Sequence, residues 1–228
     1  MIKFIVHASG SAGNLYQVIS GDQSLIIDPG VPIRRIKQFL NFRLNSVSGA
    51  LVSHSHGDHS KAVHSLAKLG VNCWMTLSTA LALKFQGHRL CFIVPGRKFK
   101  IGDFSIIAFD TQHDCPGSVG FLISDGDDQI LFATDTFYLK NRFANLTLVA
   151  IECNYSEETM TPGLHPVRLR RLYSSHFSLE NVKKFIQAND MSSVREIHLI
   201  HMSQANADPG CFQDEIERLT GKPTITHM

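Results

Sequence analysis

Within the ten residues Leu51-Val52-Ser53-His54-Ser55-His56-Gly57-Asp58-His59-Ser60 stand three histidines and one aspartate. Imidazole nitrogen and carboxylate oxygen are donors that Zn²⁺ takes as ligands, and Mn²⁺ or Fe take them with softer preference. His54 and His56 are two residues apart and can share one ion. Asp58 and His59 can turn toward a second. A solvated histidine tract would lack the frame found here. Gly49-Ala50-Leu51-Val52 reads as a buried strand, and residues 60–69 carry helical periodicity through Val63, Leu66 and Ala67. The donors are therefore expected in a strand-to-helix loop, where a rigid scaffold presents them to a cleft.

Two ions need more donors than this cluster holds, and strand ends offer them. Residues 104–109 run through Asp110-Thr111-Gln112 to His113, residues 129–133 run through Thr134 to Asp135, and residues 196–200 run to His201. Singly, His113 or His201 reads more readily as a satisfied strand-end histidine; the first cluster turns the balance toward ligands. A workable assignment puts His54, His56 and His113 on one ion and Asp58, His59 and His201 on the other. Asp135, with two oxygens to share, would bridge them. Both ions would keep room for a bridging water, acidified into a nucleophile near neutral pH. The set suits Zn²⁺ and tolerates Mn²⁺ or Fe.

The elements that must position these donors follow the chain. Strands are expected at 2–6, 15–19 and 24–28, the first two flanking the loop Ala8-Ser9-Gly10-Ser11-Ala12-Gly13-Asn14. A helix over 33–42 carries Ile33, Ile36, Phe39 and Leu40 on one stripe. After the metal strand and its helix come a strand (71–76), a helix (79–85), a strand (89–94) and a further strand at 104–109. Residues 119–124 and 129–133 read as a hairpin about Asp125-Gly126-Asp127-Asp128, and 146–151 as a buried strand. Helices near 167–173 and 179–188 (Ser178 as N-cap), a strand at 196–200 and a helix over 210–219 complete the order. That last helix is capped by Asp208-Pro209 and ended by Gly221. Two strand-rich halves, each with helices, suggest two sheets packed face to face with helices outside, as one α/β domain over residues 1–228.

Composition narrows the classes. The 228 residues carry 43% apolar side chains and a formal net charge of +2, which permits a nucleic-acid partner without demanding one. Five cysteines are widely spaced without CxxC. No secretory leader is expected, and no apolar run approaches about 18 residues. A cytoplasmic protein with reduced thiols and no membrane partner is the simplest expectation. The oligomeric state is not legible.

Ser53-His54-Ser55-His56-Gly57-Asp58-His59 resembles the HxHxDH motif of the metallo-β-lactamase superfamily, with His113, Asp135 and His201 in the order of its later metal motifs. The resemblance covers the whole chain and implies an αββα four-layer sandwich with a site for two divalent ions. Within it the chain is similar to the small WalJ/YycJ-type branch, proposed as DNA exonucleases. Residues 8–14 are similar to that branch's SGSxGN loop, Ile27-Asp28-Pro29-Gly30 to its IDxG, Ala150-Ile151-Glu152-Cys153-Asn154 to its ESN, and Ser175-His176-Phe177-Ser178-Leu179-Glu180-Asn181 to its GHLSNE. It departs from that pattern at Ser175, at Phe177-Ser178-Leu179 and at Tyr155.

By themselves Glu152 reads as a strand-end surface residue and His176 as a helix cap. The resemblance to tRNA 3′-processing endonucleases of the superfamily implies instead a Glu152–His176 dyad that protonates a leaving oxygen. The implied catalytic residues are Asp58, Glu152 and His176. In the loop, Ser9, Ser11 and Asn14 are candidates for substrate phosphate, because small residues let backbone N–H groups approach an anion; a Gly/Ser hairpin turn would look the same. Arg168, Arg170 and Arg171, with Lys183 and Lys184, either track a phosphate backbone or form a solvated face. The expected function is hydrolysis of phosphodiesters in DNA, exonucleolytically, by a metal-bridging hydroxide. Alternatives are a phosphodiesterase for a small cyclic or diester phosphate, a thioester or lactone hydrolase, and a non-catalytic nucleic-acid binder.

Overall fold

The computed structural model describes residues 1–161 and 165–228, apart from the side chain of Arg168. The chain forms two compact units: Met1–Asp110 with Cys115–Asp127, and Thr111–Asp114 with Asp128–Met228.

In the first unit, β1 (Lys3–Ala8), β2 (Leu15–Ser20) and β3 (Gln23–Ile27) form an antiparallel meander. There follow α1 (Ile33–Phe39), β4 (Val47–Leu51), α2 (Gly57–Ser60), α3 (Val63–Lys68), β5 (Cys73–Met75), α4 (Leu77–Ala82) and β6 (Leu90–Phe92). β3 to β6 pair in parallel, each through a helical crossover, which parallel neighbours require. The product is a six-stranded sheet in sequence order. Leu25, Ile26 and Ile27 in β3 and Ala50 and Leu51 in β4 are fully buried, as expected of apolar runs covered on both faces. Ile36, Leu40, Val63, Leu66 and Ala80 from the helical segments join Leu15, Ile26 and Ala50 in one core. A second, antiparallel ladder of this unit holds β7 (Lys98–Ile101), β8 (Phe104–Asp110) and β9 (Val119–Ser124). Trp74 stacks on Phe99 with ring centroids 5.1 Å apart. Gly49 is a glycine because a Cβ there would come within 3.0 Å of Ile101.

The structure departs from expectation where tertiary ties override helical periodicity. The single helix expected over 60–69 is two, α2 and α3, because the Ala62 amide bonds the carbonyl of Pro29 at 2.9 Å instead of continuing the helix. Helix α1 stops at Phe39, not at 42. Asn41 and Phe42 turn to φ +48° and +60°, and the Phe42 amide reaches back to Lys37 O. Residues 98–101 are a full strand, hairpinned to β8 through Gly102 at φ +56°. Thr76 caps α4 through the amide of Thr79 and starts it two residues early.

The second unit holds β10 (Gln129–Ala133), β11 (Leu148–Glu152), α5 (Pro166–Ser175), α6 (Leu179–Ala188), β12 (Glu196–Ile200), α7 (Pro209–Thr220) and β13 (Thr224–Thr226). β10 to β13 pair in parallel in that order. As expected, Ser178 caps α6 and Asp208 caps α7, which Gly221 ends in the left-handed conformation. Leu179, Val182, Phe185 and Ile186 form the buried stripe of α6. Among the described residues no helix is long and apolar enough to cross a membrane.

The β12–β13 edge carries a stacked histidine pair. His198 Nδ1 lies 2.9 Å from His227 Nε2, and Glu196 Oε1 lies 3.4 Å from His198 Nε2. Burial, then the neighbouring His198, lowers the His227 imidazole to about 4. Burial also lowers His198, against the pull of Glu196. Groups whose folded pKa is depressed contribute stability that is complete above their unfolded value, near 6.5, and is lost as pH falls toward 4. With screening of the half-exposed His227, the loss is about 1–2 kcal/mol. Thermal melts of wild type and His227→Phe from pH 7 to pH 4.5 test this: the wild type should lose more stability across that window, and parallel losses would refute the coupling.

Candidate metal ligands

In the first unit the loop between β4 and α2 carries His54 and His56, and α2 itself carries Asp58 and His59. His54 Nε2 and His56 Nδ1 stand 3.1 Å apart. Two nitrogens each about 2.0–2.1 Å from a tetrahedral Zn²⁺ are about 3.3 Å apart, so the pair is spaced to share one ion. His59 Nε2 lies 3.4 Å from Asp58 Oδ2. His54 and His59 are buried, and the Asp58 side chain is 26% exposed.

A residue given no role from sequence organises this loop. Asp28, at the end of β3, is fully buried at φ +50°. Its Oδ1 accepts the Ser53 amide at 2.7 Å, and its Oδ2 accepts the Ser53 hydroxyl at 2.7 Å and His59 Nδ1 at 2.8 Å. The Ser53 hydroxyl in turn lies 2.9 Å from His54 Nδ1. One carboxylate thus holds the Nδ1 side of two rings, His59 directly and His54 through Ser53, and so turns both Nε2 atoms away from itself. The Asp-Pro-Gly at a strand end was the available signal.

The glycine loop serves the same end. The Asn14 carboxamide oxygen accepts the Gly10 amide and the Tyr16 hydroxyl, both at 2.9 Å, while its Nδ2 donates to Asp58 O and lies 3.1 Å from His59 Nε2. A Cβ on Gly13 would meet Gly30 O at 2.8 Å, and one on Gly30 would meet Asp58 O at 1.6 Å. Loop, Asp-Pro-Gly turn and ligand loop are therefore stacked backbone on backbone. Asn14 is buried with its side chain engaged, Ser9 Oγ lies 3.1 Å from the Tyr16 hydroxyl, and Ser11 is exposed. Cys115 is buried, its sulfur 3.1 Å from Ser55 Oγ.

In the second unit Asp135, Glu152, His176 and His201 bring one donor atom each within 4.8 Å of one another. Glu152 is the hub. Oε1 accepts His176 Nδ1 at 2.7 Å and His201 Nδ1 at 3.0 Å, while Oε2 accepts the amides of Thr136 at 3.0 Å and Phe177 at 3.2 Å. This aims two imidazoles by Nδ1 and turns their Nε2 atoms away from the carboxylate. Asp135 and His201 both take positive φ, +48° and +53°, and Asn154 holds the His201 carbonyl at 2.8 Å. His113 donates Nδ1 to Ser175 O at 3.1 Å, and its Nε2 lies 3.8 Å from Asp135 Oδ1. Asn154 and Thr136 are further positioning residues that spacing did not single out.

His176 sits in the extended link between α5 and α6. That link is held as a short parallel bridge, with the Asn154 amide on Phe177 O and the Leu179 amide on Tyr155 O. Burial pushes the His176 imidazole down, but the Glu152 carboxylate at its Nδ1 outweighs this and Asp135 adds to it, so the net direction is up. Burial likewise raises the Glu152 carboxyl, and His176 carries it net downward. The pair favours carboxylate with imidazolium. Of the basic residues, Arg171 pairs with Asp114 at 3.1 Å and Lys183 with Glu215, and Lys184 and Arg170 are exposed. The Arg168 side chain lies outside the described residues.

The donor set suits divalent cations: imidazoles fixed in one tautomer and carboxylates beside them are what such ions select. Asp28→Asn should lower the affinity of the folded protein for Zn²⁺ or Mn²⁺ about 10–100-fold, read by competition with a chromophoric chelator. Gly30→Ala should do the same by displacing Asp58. A folded Asp28→Asn variant that keeps wild-type affinity would remove Asp28 from the ligand system.

The metallo-beta-lactamase superfamily pattern matches residues 9–178. Two curated relatives are an exodeoxyribonuclease WalJ of Streptococcus pneumoniae, 26% identical over 222 residues (90% of this chain, 82% of the relative), and an exodeoxyribonuclease YycJ of Bacillus anthracis, 24% identical (90% and 84%). Among solved structures, the metallo-beta-lactamase fold protein YhfI of Bacillus subtilis aligns with a TM-score of 0.77 at 15% identity, covering 99% of this chain and 95% of that one. Zn²⁺-bound PqqB of Methylobacterium extorquens aligns at 0.73 and 11% identity, covering 100% and 98%. These structures share the fold. The chain belongs to the metallo-beta-lactamase superfamily, as a hydrolase with that superfamily's α/β fold.

Proposed function

We propose that the chain hydrolyses phosphodiester bonds in DNA, working inward from an end, in the cytoplasm. The observation that carries this reading is the Glu152–His176 pair, 2.7 Å between Oε1 and Nδ1 with the His176 side chain 17% exposed. The curated relatives named as exodeoxyribonucleases supply the polymer. Hydrolysis of a phosphodiester forms one P–O bond from water and breaks another, and the departing alkoxide needs a proton. Activated thioesters and lactones make weaker demands on such a donor.

The ligands proposed for two cations are His54, His56, Asp58 and His59 in the first unit and His113, Asp135 and His201 in the second. Divalent ions bound there would acidify water and neutralise phosphate charge. The chain's own residues do the rest. His176 holds its Nδ1 proton on Glu152 and donates from Nε2 to the leaving oxygen. Glu152 keeps that ring charged and oriented, and shares the same oxygen with His201. Asp58 takes the proton that water gives up. Ser9 and Ser11 are proposed to meet a substrate phosphate; Asn14 acts beneath them by holding Asp58 and His59.

The test is cleavage of end-labelled linear duplex DNA by stripped protein reloaded with Mn²⁺ or Zn²⁺. Wild type should shorten the label progressively. His176→Ala should slow this about 10²–10⁴-fold, the usual worth of a positioned acid, without loss of bound metal. Full-rate shortening by the variant would remove the acid role. Hydrolysis of a small phosphodiester or thioester by metal-loaded wild type that leaves DNA intact would refute the polymer.

A further inference from the structure

The segment that follows Asp135 in the second unit has no regular structure until β11, yet it is tightly tied. Asn181 Nδ2 donates to Phe137 O at 3.2 Å, the Phe143 amide donates to Asn189 Oδ1 at 2.7 Å, and Gln129 Nε2 donates to Ala144 O at 2.7 Å. This strap runs beside α6 and leaves a groove of about 430 Å³ between them. Phe177 and Phe185 form its apolar floor, Tyr138 stands on the rim 53% exposed, and Lys140, Arg142 and Lys184 are the charged residues that line it. Among the described residues no carboxylate lines the groove. The helix and the strap thus turn three cations and one open aromatic ring into the same depression. The groove is continuous in sequence with the chemistry: Phe177 follows His176, and Tyr138 lies three residues after Asp135.

We infer that this groove binds a single strand of the polynucleotide substrate, with Lys140, Arg142 and Lys184 on consecutive phosphates and Tyr138 stacked on a base. The inference rests on the proposed DNA hydrolysis and adds where the strand lies. Charge selects the occupant. A polyanion with flat rings at regular spacing matches cations interleaved with an aromatic, and base stacking on an aromatic side chain tolerates any sequence, as a hydrolase working along a polymer of mixed sequence requires. A mononucleotide would need only one of the three cations. The two phenylalanines under the strand exclude water, which strengthens each phosphate contact made above them.

The experiment uses metal-stripped full-length protein and a fluorescein-labelled dT₁₂ strand, with affinity measured from 50 to 200 mM salt. Lys140→Ala/Arg142→Ala/Lys184→Ala should weaken binding at least tenfold at low salt. It should also flatten the slope of log K against log salt by about 2, since each phosphate contact on a single strand contributes roughly 0.7. Tyr138→Ala should weaken binding about tenfold and leave the slope unchanged. A control triple at Arg34, Lys68 and Lys98, exposed cations of the first unit, should alter neither. Thermal melts establish that each variant is folded. If the folded groove triple binds dT₁₂ as wild type does, with the same slope, the groove assignment is wrong, and DNA shortening by wild type would leave the proposed function standing. Wild type that neither binds dT₁₂ nor shortens DNA overturns both. Displacement of dT₁₂ by polyglutamate of equal charge at equal concentration would make the groove a site for acidic protein and overturn the nucleic-acid occupant.

Discussion

A histidine can bind a cation only through a nitrogen that carries no proton, and only if the ring cannot turn away. Two buried carboxylates impose that constraint here, one in each unit. Asp28 fixes the Nδ1 proton of His59 directly and that of His54 through Ser53. Glu152 does the same for His201, and by holding Nδ1 of His176 it fixes a second ring in place. Burying a carboxylate is costly unless every lone pair is used. Both are satisfied by backbone amides as well as by rings: Ser53 for Asp28, Thr136 and Phe177 for Glu152. The amides offset the desolvation, and the same oxygens hold the rings.

The backbone bears the strain of this arrangement. Asp28, Asp135 and His201 each end a strand or follow one closely, and each lies in the left-handed region. Such a conformation costs roughly 1–2 kcal/mol for a residue with a Cβ, and aspartate tolerates it better than histidine. His201 is the least comfortable, and its carbonyl is held by the buried Asn154 amide. The glycines work by proximity: Gly30 leaves no space for a Cβ against Asp58, and Gly13 none against Gly30. The SGSAGN loop is thus one of three stacked backbone layers, the last of which carries the proposed ligands Asp58 and His59.

Much of this was legible in the chain. The strand order, the caps at Ser178, Asp208 and Gly221, and the donors at strand ends all follow from local patterns, because apolar runs stopping at a polar residue fix both element and orientation. Helix ends were less legible: α1 and the break between α2 and α3 depend on carbonyls and amides distant in sequence, such as Pro29 O with Ala62. Asp28 and Asn154 stand within recognisable motifs, but an acid or amide at a strand end has no periodicity that shows which ring or carbonyl it will meet. Glu152 was given one histidine to orient and holds two. Its reach to His201 joins β11 to β12, neighbours only once the parallel pairing exists.

The same dependence explains why the ligand chemistry does not choose the substrate. The fixed imidazoles, the carboxylates and the proton donor proposed here would serve any phosphodiester that reached them, and relatives at 24–26% identity do not choose among substrates. Discrimination must come from surfaces that meet the rest of the molecule. The net charge of only +2 is too small to attract a polyanion by the field of the whole protein. Placement then matters more than total. Arg171 and Lys183 are already matched by Asp114 and Glu215, so part of the basic composition near α5 and α6 is internally neutralised. Lys140, Arg142 and Lys184 are grouped where no carboxylate among the described residues lines the same groove. A polymer is distinguished from a small diester by contacts remote from the bond that breaks, and the strap tied to the helix that follows His176 is where the inferred groove would supply them.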